Sequence, residues 1–386
     1  MESHYKKIVK DTDRRVIASM QRQIMDGGNA CYGGFWDGTG IVQAKYAIYQ
    51  VAPMKAAYCC TDSAFYRSGE IFERIIAGLT YIRGVQHENG LFDYITCNFF
   101  SAPDTAFCLK KLLPVYEYLR GMGEEEISPA EKVSWIGKIT TEEISPADKV
   151  SWMGKITTGE MEILRRLEEI IKDGADGMLA GGFHTPNHRW AIASILMACS
   201  KYFGSRKMEE AANTYLKEGI DCNEDGEFSE KSAGNYNRIN NDAMILLSQV
   251  TGDTTYEQHV LRNLRMMLTY IEPDGSIFTA NSTRFDKDLL VYPTDYYMEY
   301  LRMGQKYNIP EFLAMCNFIF DLAGEKNLAA PDCLIWFMLC PQYRNLEFGE
   351  SYDFGNFHAF YRDSGIVRGR NGRFTYTMHG NFRNHN

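Results

Sequence analysis

No stretch of the 386-residue chain stays apolar for the length of a membrane span, and the opening Met1-Glu2-Ser3-His4 has no run resembling a secretory leader. The expectation is a cytoplasmic protein with no membrane partner, although a chain whose leader had been removed would read the same. Positive charge is also in short supply. Lys and Arg number 41 against 50 Asp and Glu, for a net charge of −9. A general nucleic-acid binder needs a basic face, so nucleic acid is not expected as a partner. An anionic substrate stays open, because a local pocket can hold Arg and His inside an acidic protein. The ten cysteines have no regular spacing and include adjacent Cys59-Cys60. They read as reduced core residues rather than a disulfide framework.

What the sequence does have is recurrence. Gly38, Gly90, Gly177, Gly226, Gly275 and Gly324 fall at intervals of 52, 87, 49, 49 and 49 residues. The long interval contains two 17-residue copies of one segment, Glu125 to Thr141 and Glu142 to Thr158, and shortens to 53 without them. Each unit reads as a helix, a turn built on Asp/Asn-Gly, a long polar and aromatic loop, a second helix and a short connection. Thus a helix from Met161 to Asp173 leads to Asp176-Gly177, a loop from Gly181 to Asn187, and a helix from Trp190 to Phe203. Apolar residues at three- and four-residue steps, as in Ile163, Leu164, Leu167, Ile170 and Ile171, give each helix a face that one unit alone cannot bury.

Twelve helices in six antiparallel hairpins put every long loop at one end, where loops on a rigid scaffold carry chemistry. Such an array closes into a toroid or runs on as an open solenoid; closure is favoured, because no distinct polar capping repeat is visible. The expected fold is therefore all-α, an (α/α)6 toroid over residues 1–350. The tandem insert at 125–158 sits in the short-connection position and is given no catalytic role. Residues 351–386 change texture. Gly365 to Arg370 and Arg373 to His379 alternate like two strands around Asn371-Gly372, and a lone hairpin must pack on something else to be stable.

Two loops concentrate chemistry-bearing residues. One reads Gly-Gly-Phe-His-Thr-Pro-Asn-His-Arg-Trp from 181 to 190, and the next Glu-Phe-Ser-Glu-Lys-Ser-Ala-Gly-Asn-Tyr-Asn-Arg from 227 to 238. Asn187 and Tyr236 lie 49 residues apart, one repeat period, and so occupy equivalent places on neighbouring units. Each also has a plain structural reading: Asn187 as a helix cap, Tyr236 as a packing residue. Trp190 and Phe183 read equally as core or as sugar-stacking platforms. His184 and His188 are four apart, but Pro186 intervenes and no third ligand is evident, so no metal is expected.

Asn187-His188, followed by Asp225-Gly226-Glu227-Phe228 and Tyr236, resembles the helical toroid of the heparinase II/III-like polysaccharide lyases. The resemblance covers most of the helical region, with Tyr352 to Asn386 looking like the opening strands of that family's β-sandwich domain. It implies β-elimination on uronic-acid-containing poly- or oligosaccharides, without a cofactor. Asn187, helped by His188, would neutralise the uronate carboxylate, and Tyr236 would protonate the leaving oxygen and in some members act as base. Arg189 or Arg238 would lower the phenol's pKa, and His188 is the alternative base. Substrate contacts are expected from His184, Arg189, Trp190, Arg238 and Arg284, with Lys287 beside the last as a further cation. The family also draws a histidine from its β domain, whereas His358, His379 and His385 here sit in no matching context. An inverting glycoside hydrolase remains the alternative, with Asp37, Asp93, Asp225, Glu227 and Glu230 as available acids, and a non-catalytic carbohydrate-binding array is the third reading.

Overall fold

Four copies of one tight turn punctuate the described residues. The computed structural model describes residues 3–96, 98–123, 156–181 and 185–380. In the segments that begin at Asp37, His87, Asn223 and Glu272, the fourth residue is a glycine whose N–H donates to the first residue's carbonyl. The distances are 3.2 Å for Gly40, 2.8 Å for Gly90, 3.1 Å for Gly226 and 2.8 Å for Gly275. The first residue's own N–H donates to the carbonyl just beyond the glycine. All four glycines have φ between +81° and +94°, where a side chain is strained.

Three expected turn glycines are corrected. Gly38 lies within the first turn, but Gly40 takes the left-handed conformation. Gly177 and Gly324 lie inside helices, α5 (Thr158–Met178) and α11 (Pro310–Glu325). At Gly177 the need is closeness rather than a turn: a Cβ there would stand 2.3 Å from the Asn89 carbonyl oxygen.

The described residues form twelve α-helices and five short strands, and the chain divides into two compact units. The first comprises Met1–His184, Ala191–Thr214 and Asp332–Leu346. It holds α1 (His4–Arg22), α2 (Ala44–Cys59), α3 (Gly69–Gly84), the strands β1 (Phe92–Tyr94) and β2 (Asn98–Ser101), α4 (Ala102–Gly123), α5 and α12 (Leu334–Leu339). Here α2 packs on α1, α3 and α4, and α4 packs on α5. The helix α6 (Pro186–Phe203) contributes all but its first turn to this unit, and α7 (Arg206–Leu216) all but its last residues. Ile163, Leu167, Ile170 and Ile171 of α5 are buried, as their spacing requires.

The duplicated insert lies largely outside the described residues, but its last two, Thr157 and Thr158, begin α5. Thr157 is the N-cap: its hydroxyl accepts from the Glu160 N–H, and the Glu160 carboxylate accepts from the Thr157 N–H at 2.7 Å. Such a capping box stabilises a helix start by about 1 kcal/mol. The insert thus ends as part of a packed helix, not wholly as a surface connection.

The second unit comprises Thr185–Trp190, Tyr215–Pro331 and Glu347–Asn386. After the turn at Gly226, α8 (Tyr236–Thr251) ends at left-handed Gly252, and α9 (Thr255–Tyr270) returns against it. After the turn at Gly275, a 3-10 turn, Pro293–Tyr296, leads into α10 (Tyr297–Tyr307). That helix ends at left-handed Asn308, and α11 starts on Pro310 and packs back along it. Short connections therefore alternate with long loops, and within this unit the two long loops meet at one end.

The C-terminal segment is a three-stranded antiparallel sheet: β3 (Phe357–Tyr361), β4 (Ile366–Asn371) and β5 (Phe374–His379). The two strands read from sequence are β4 and β5, with Gly372 left-handed in the turn between them. The extra strand is β3. Two buried arginines tie the sheet to the turn at Gly275: Arg368 and Arg370 reach Glu272 at 2.5 and 3.1 Å, and the Thr375 hydroxyl donates to it at 2.8 Å.

All nine described cysteines are free, eight of them buried. Among the described residues no helix is long and apolar enough to cross a membrane.

Candidate functional site

The two long loops of the second unit fold onto each other and onto the first turn of α6. Thr283 donates through both its N–H and its hydroxyl to the Glu230 carbonyl. Glu230 sends its own side chain inward, where the Asn187 N–H donates to it at 3.3 Å and the Arg284 guanidinium approaches at 3.5 Å. Arg284 also lies over the Tyr236 ring, 5.0 Å from its centre, and the Phe285 ring meets Tyr236 edge-on at 5.8 Å. Asn187, Glu230, Arg284 and Tyr236 thus form one continuous contact chain.

Burial decides the electrostatics of this chain. Glu230 is almost fully buried, and loss of water pushes its carboxyl up to about 7. The Arg284 charge and the Asn187 N–H pull it back down, while the nearby Asp221 and Asp286 push it further up. A carboxyl near 7 can both take and give a proton at neutral pH. Asn187 is fully buried. Its Oδ1 accepts from the Thr185 hydroxyl at 2.7 Å, which leaves the side-chain NH2 without a partner among the described residues. An unmet buried donor is costly unless something arrives to accept from it.

Arg284 also lines a cavity of about 780 Å³. Its wall brings Lys231, Arg284 and Lys287 from the loops together with His379 from β5, alongside Asn281, Ser282, Thr283 and Ser364. Lys231 has φ +52°, unusual for a lysine. It reaches the buried Glu227 at 3.5 Å, and Glu227 also accepts from Asn281 Nδ2 at 2.6 Å. Burial raises the Glu227 carboxyl, and Lys231, Ser364 and Asn281 counter the rise. The cavity is therefore a cationic bowl with two buried carboxylates behind it, suited to an anionic ligand that must gain or lose a proton.

The structure sorts the sequence-derived residues. It joins Asn187, Tyr236 and Arg284. His188 follows Asn187 in the first turn of α6 and is half-buried. Trp190 is removed from any sugar-facing role: it is fully buried and its indole donates to Asp221 at 2.6 Å. Arg189 stacks on Trp190 and pairs with Glu218, and Arg238 pairs with Asp295 at 3.2 Å. The cation over Tyr236 is thus Arg284, in place of Arg189 or Arg238. His184 and Phe183 lie outside the described residues, as does His385. His358 stands on β3, its ring 6.4 Å from that of Tyr376.

The spare acids of the hydrolase reading separate likewise. Asp37 accepts from Thr39 and Ile41 within its turn, which holds its carboxyl down at about 2. Asp93 pairs with His87 and accepts from the Phe100 N–H. Asp225 accepts from the Ser364 N–H. Glu227 and Glu230 stand behind the cavity with side-chain contacts to its cations, Lys231 and Arg284. Among the described residues no group of three or more His, Cys, Asp or Glu is arranged to hold a metal ion.

No family model matches the chain, and no curated protein is significantly similar to it. Solved structures do resemble it. The chondroitin AC lyase of Streptomyces coelicolor A3 in complex with chondroitin sulphate is 12% identical with a TM-score of 0.53, over 95% of this chain and 49% of that one. A point mutant of the same lyase gives a TM-score of 0.51 at 12% identity, over 97% and 50%. This chain thus spans about half the length of those structures. An unsaturated glucuronyl hydrolase specific for heparin, also 12% identical, reaches a TM-score of only 0.44, over 87% and 82%. Identities this low speak to fold alone, and that fold is the all-α, α/α-toroid class followed by a short C-terminal β segment.

Proposed function

We propose that this chain carries the catalytic site of a lyase that cleaves uronic-acid-containing poly- or oligosaccharides by β-elimination. The observation that carries the reading is Arg284, which lines the cationic cavity and at the same time lies over Tyr236 and beside Glu230. A uronate carboxylate in that cavity would meet Arg284, with Lys287 and Lys231 close by, and the unmet Asn187 amide offers a further donor nearby. Neutralising the carboxylate makes the C5 proton acidic and stabilises the enediolate that forms when it leaves. His188 takes that proton, Glu230 being a second group able to do so near neutral pH. The C4–O bond then breaks with its electron pair on the leaving oxygen, which receives the Tyr236 phenolic proton. The product carries a C4=C5 double bond conjugated with the carboxylate. Fold similarity to a polysaccharide lyase supports an enzyme of this general kind.

One observation favours a second reading. Glu227 and Glu230 are both buried acids whose carboxyls are raised, the environment a hydrolase gives its general acid. Incubation with a panel of uronic-acid polysaccharides separates the two. Growth of ultraviolet absorbance from the unsaturated uronate supports the lyase. New reducing ends without absorbance overturn it in favour of hydrolysis, and neither signal overturns both.

A further inference from the structure

Behind Arg284 and Tyr236 lies a carboxylate that neither reading uses. Asp286 is 1% exposed and has no ion-pair partner among the described residues. Its charge is met by three donors: the Ser232 hydroxyl at 2.8 Å, the Ser282 hydroxyl at 2.6 Å and the Gly234 N–H at 2.9 Å. A buried charge held this way is costly to keep and sensitive to the loss of any donor.

The two serines show what the arrangement accomplishes. Each hydroxyl has one proton, and both give it to Asp286. Their oxygens are then oriented to accept: Ser232 accepts from the Tyr236 N–H at 3.1 Å, and Ser282 from the Arg284 N–H at 3.1 Å. One carboxylate thereby fixes the backbone of both residues through one hydroxyl each, and it ties together loops 52 to 54 residues apart in sequence. The outcome at the surface is the guanidinium seated 5.0 Å over the phenol ring.

We infer that Asp286 is a positioning residue for this site, a buried carboxylate that sets Arg284 against Tyr236 through Ser232 and Ser282. What the positioned pair does rests on the lyase reading; that Asp286 positions it does not. An amide at 286 keeps the volume but sets an N–H2 either against the Gly234 N–H or against both serine hydroxyls, which share one carboxylate oxygen, so at least one tie is lost and the loops lose their common reference.

The test places 3-fluorotyrosine at position 236 and records its 19F resonance in the full chain, with circular dichroism as the check on folding. Arg284→Ala fixes the signal of a ring without its cation. Asp286→Asn is expected to move the resonance toward that signal, Ser282→Ala to move it part of the way, and Ser282→Thr, which keeps the hydroxyl, to restore the wild-type position. A folded Asp286→Asn with an unchanged resonance overturns the inference. Where Asp286→Asn fails to fold, the double variant Ser232→Ala/Ser282→Ala decides, and a wild-type resonance there overturns it equally. In the elimination assay Asp286→Asn should lower kcat/KM by roughly 10–100-fold, as small misplacements do, while Ser282→Thr should keep it near wild type. A wild-type chain inactive on every uronate would remove the lyase reading and leave the fluorine result to stand or fall alone.

Discussion

Replacing Glu230 by Gln tests the burial of the site without any assumption about the reaction. The folded-state carboxyl sits at about 7, against an ordinary value of 4.5, so the folded chain holds this proton more tightly than the unfolded chain does. The stabilisation is complete below about 4.5 and is lost as pH rises through about 7. Between pH 5 and pH 8 the displacement corresponds to about 3 kcal/mol at ~1.4 kcal/mol per pKa unit. The solvation the carboxyl keeps reduces this to about 1–2 kcal/mol. Gln is close to isosteric with the protonated acid and does not titrate. At pH 5 the variant should match wild type, and by pH 8 it should be the more stable by about 1–2 kcal/mol. Urea unfolding of both chains at half-unit pH steps measures the difference. Parallel stability curves for the two chains would show that Glu230 is solvated like a surface acid, and the electrostatic account of the site would fall with it.

Tyr236→Phe keeps the ring under Arg284 and removes only the hydroxyl, so elimination should slow by ~10²-fold or more while the melting curve stays put; full activity would exclude the phenol as proton donor. Asn187 is the second residue of α6 and not its cap, so Asn187→Ala should slow turnover beyond the ~1 kcal/mol stability cost of the lost hydrogen bond from Thr185, read by comparing kcat with the melt. Gly226→Ala should destabilise more than Gly40→Ala. Both force a side chain into φ beyond +80°, but only at Gly226 would the new Cβ stand 2.4 Å from a carbonyl oxygen, that of Arg262, whereas Gly40 faces open space. Equal losses by calorimetry would refute that distinction. Deleting Glu142–Thr158 should leave folding intact, because Thr140-Thr141 then precede Gly159-Glu160 just as Thr157-Thr158 do now. Loss of soluble protein on that deletion would refute the shared cap.

The repeat was legible because its turns require a conformation that only glycine adopts freely. Gly90, Gly226 and Gly275 announce themselves for that reason. Gly177 and Gly324 share the period but not the cause, since helix pairs of similar length return any residue type to similar places. A glycine at a close contact looks the same in sequence as one in a turn. In the site, Asn187, Tyr236 and Arg284 were readable as residue types suited to an anionic sugar. Their partnership was not readable, because it depends on the path of two loops. Arg189 and Arg238 stand nearer Asn187 and Tyr236 in sequence, yet their charges are absorbed by Glu218 and Asp295. Asp286 gave no signal at all: an Asp in a polar loop is ordinary until burial is known. The strand β3 escaped notice because Phe357-His358-Ala359-Phe360-Tyr361 carries aromatic residues on both faces, which hides the alternation.

The cavity wall draws Lys231, residues 280–284 and Lys287 from one stretch of chain, and residues 364–366 with His379-Gly380 from another some 90 positions later. Synthesis therefore completes the helices of the second unit well before it completes the bowl. Until β5 has left the ribosome and its neighbour β4 has docked Arg368 and Arg370 on Glu272, a nascent chain has a cationic loop surface with one wall missing. Ligand affinity in this protein should then appear abruptly with chain length, at β5, rather than growing helix by helix as the repeats are made.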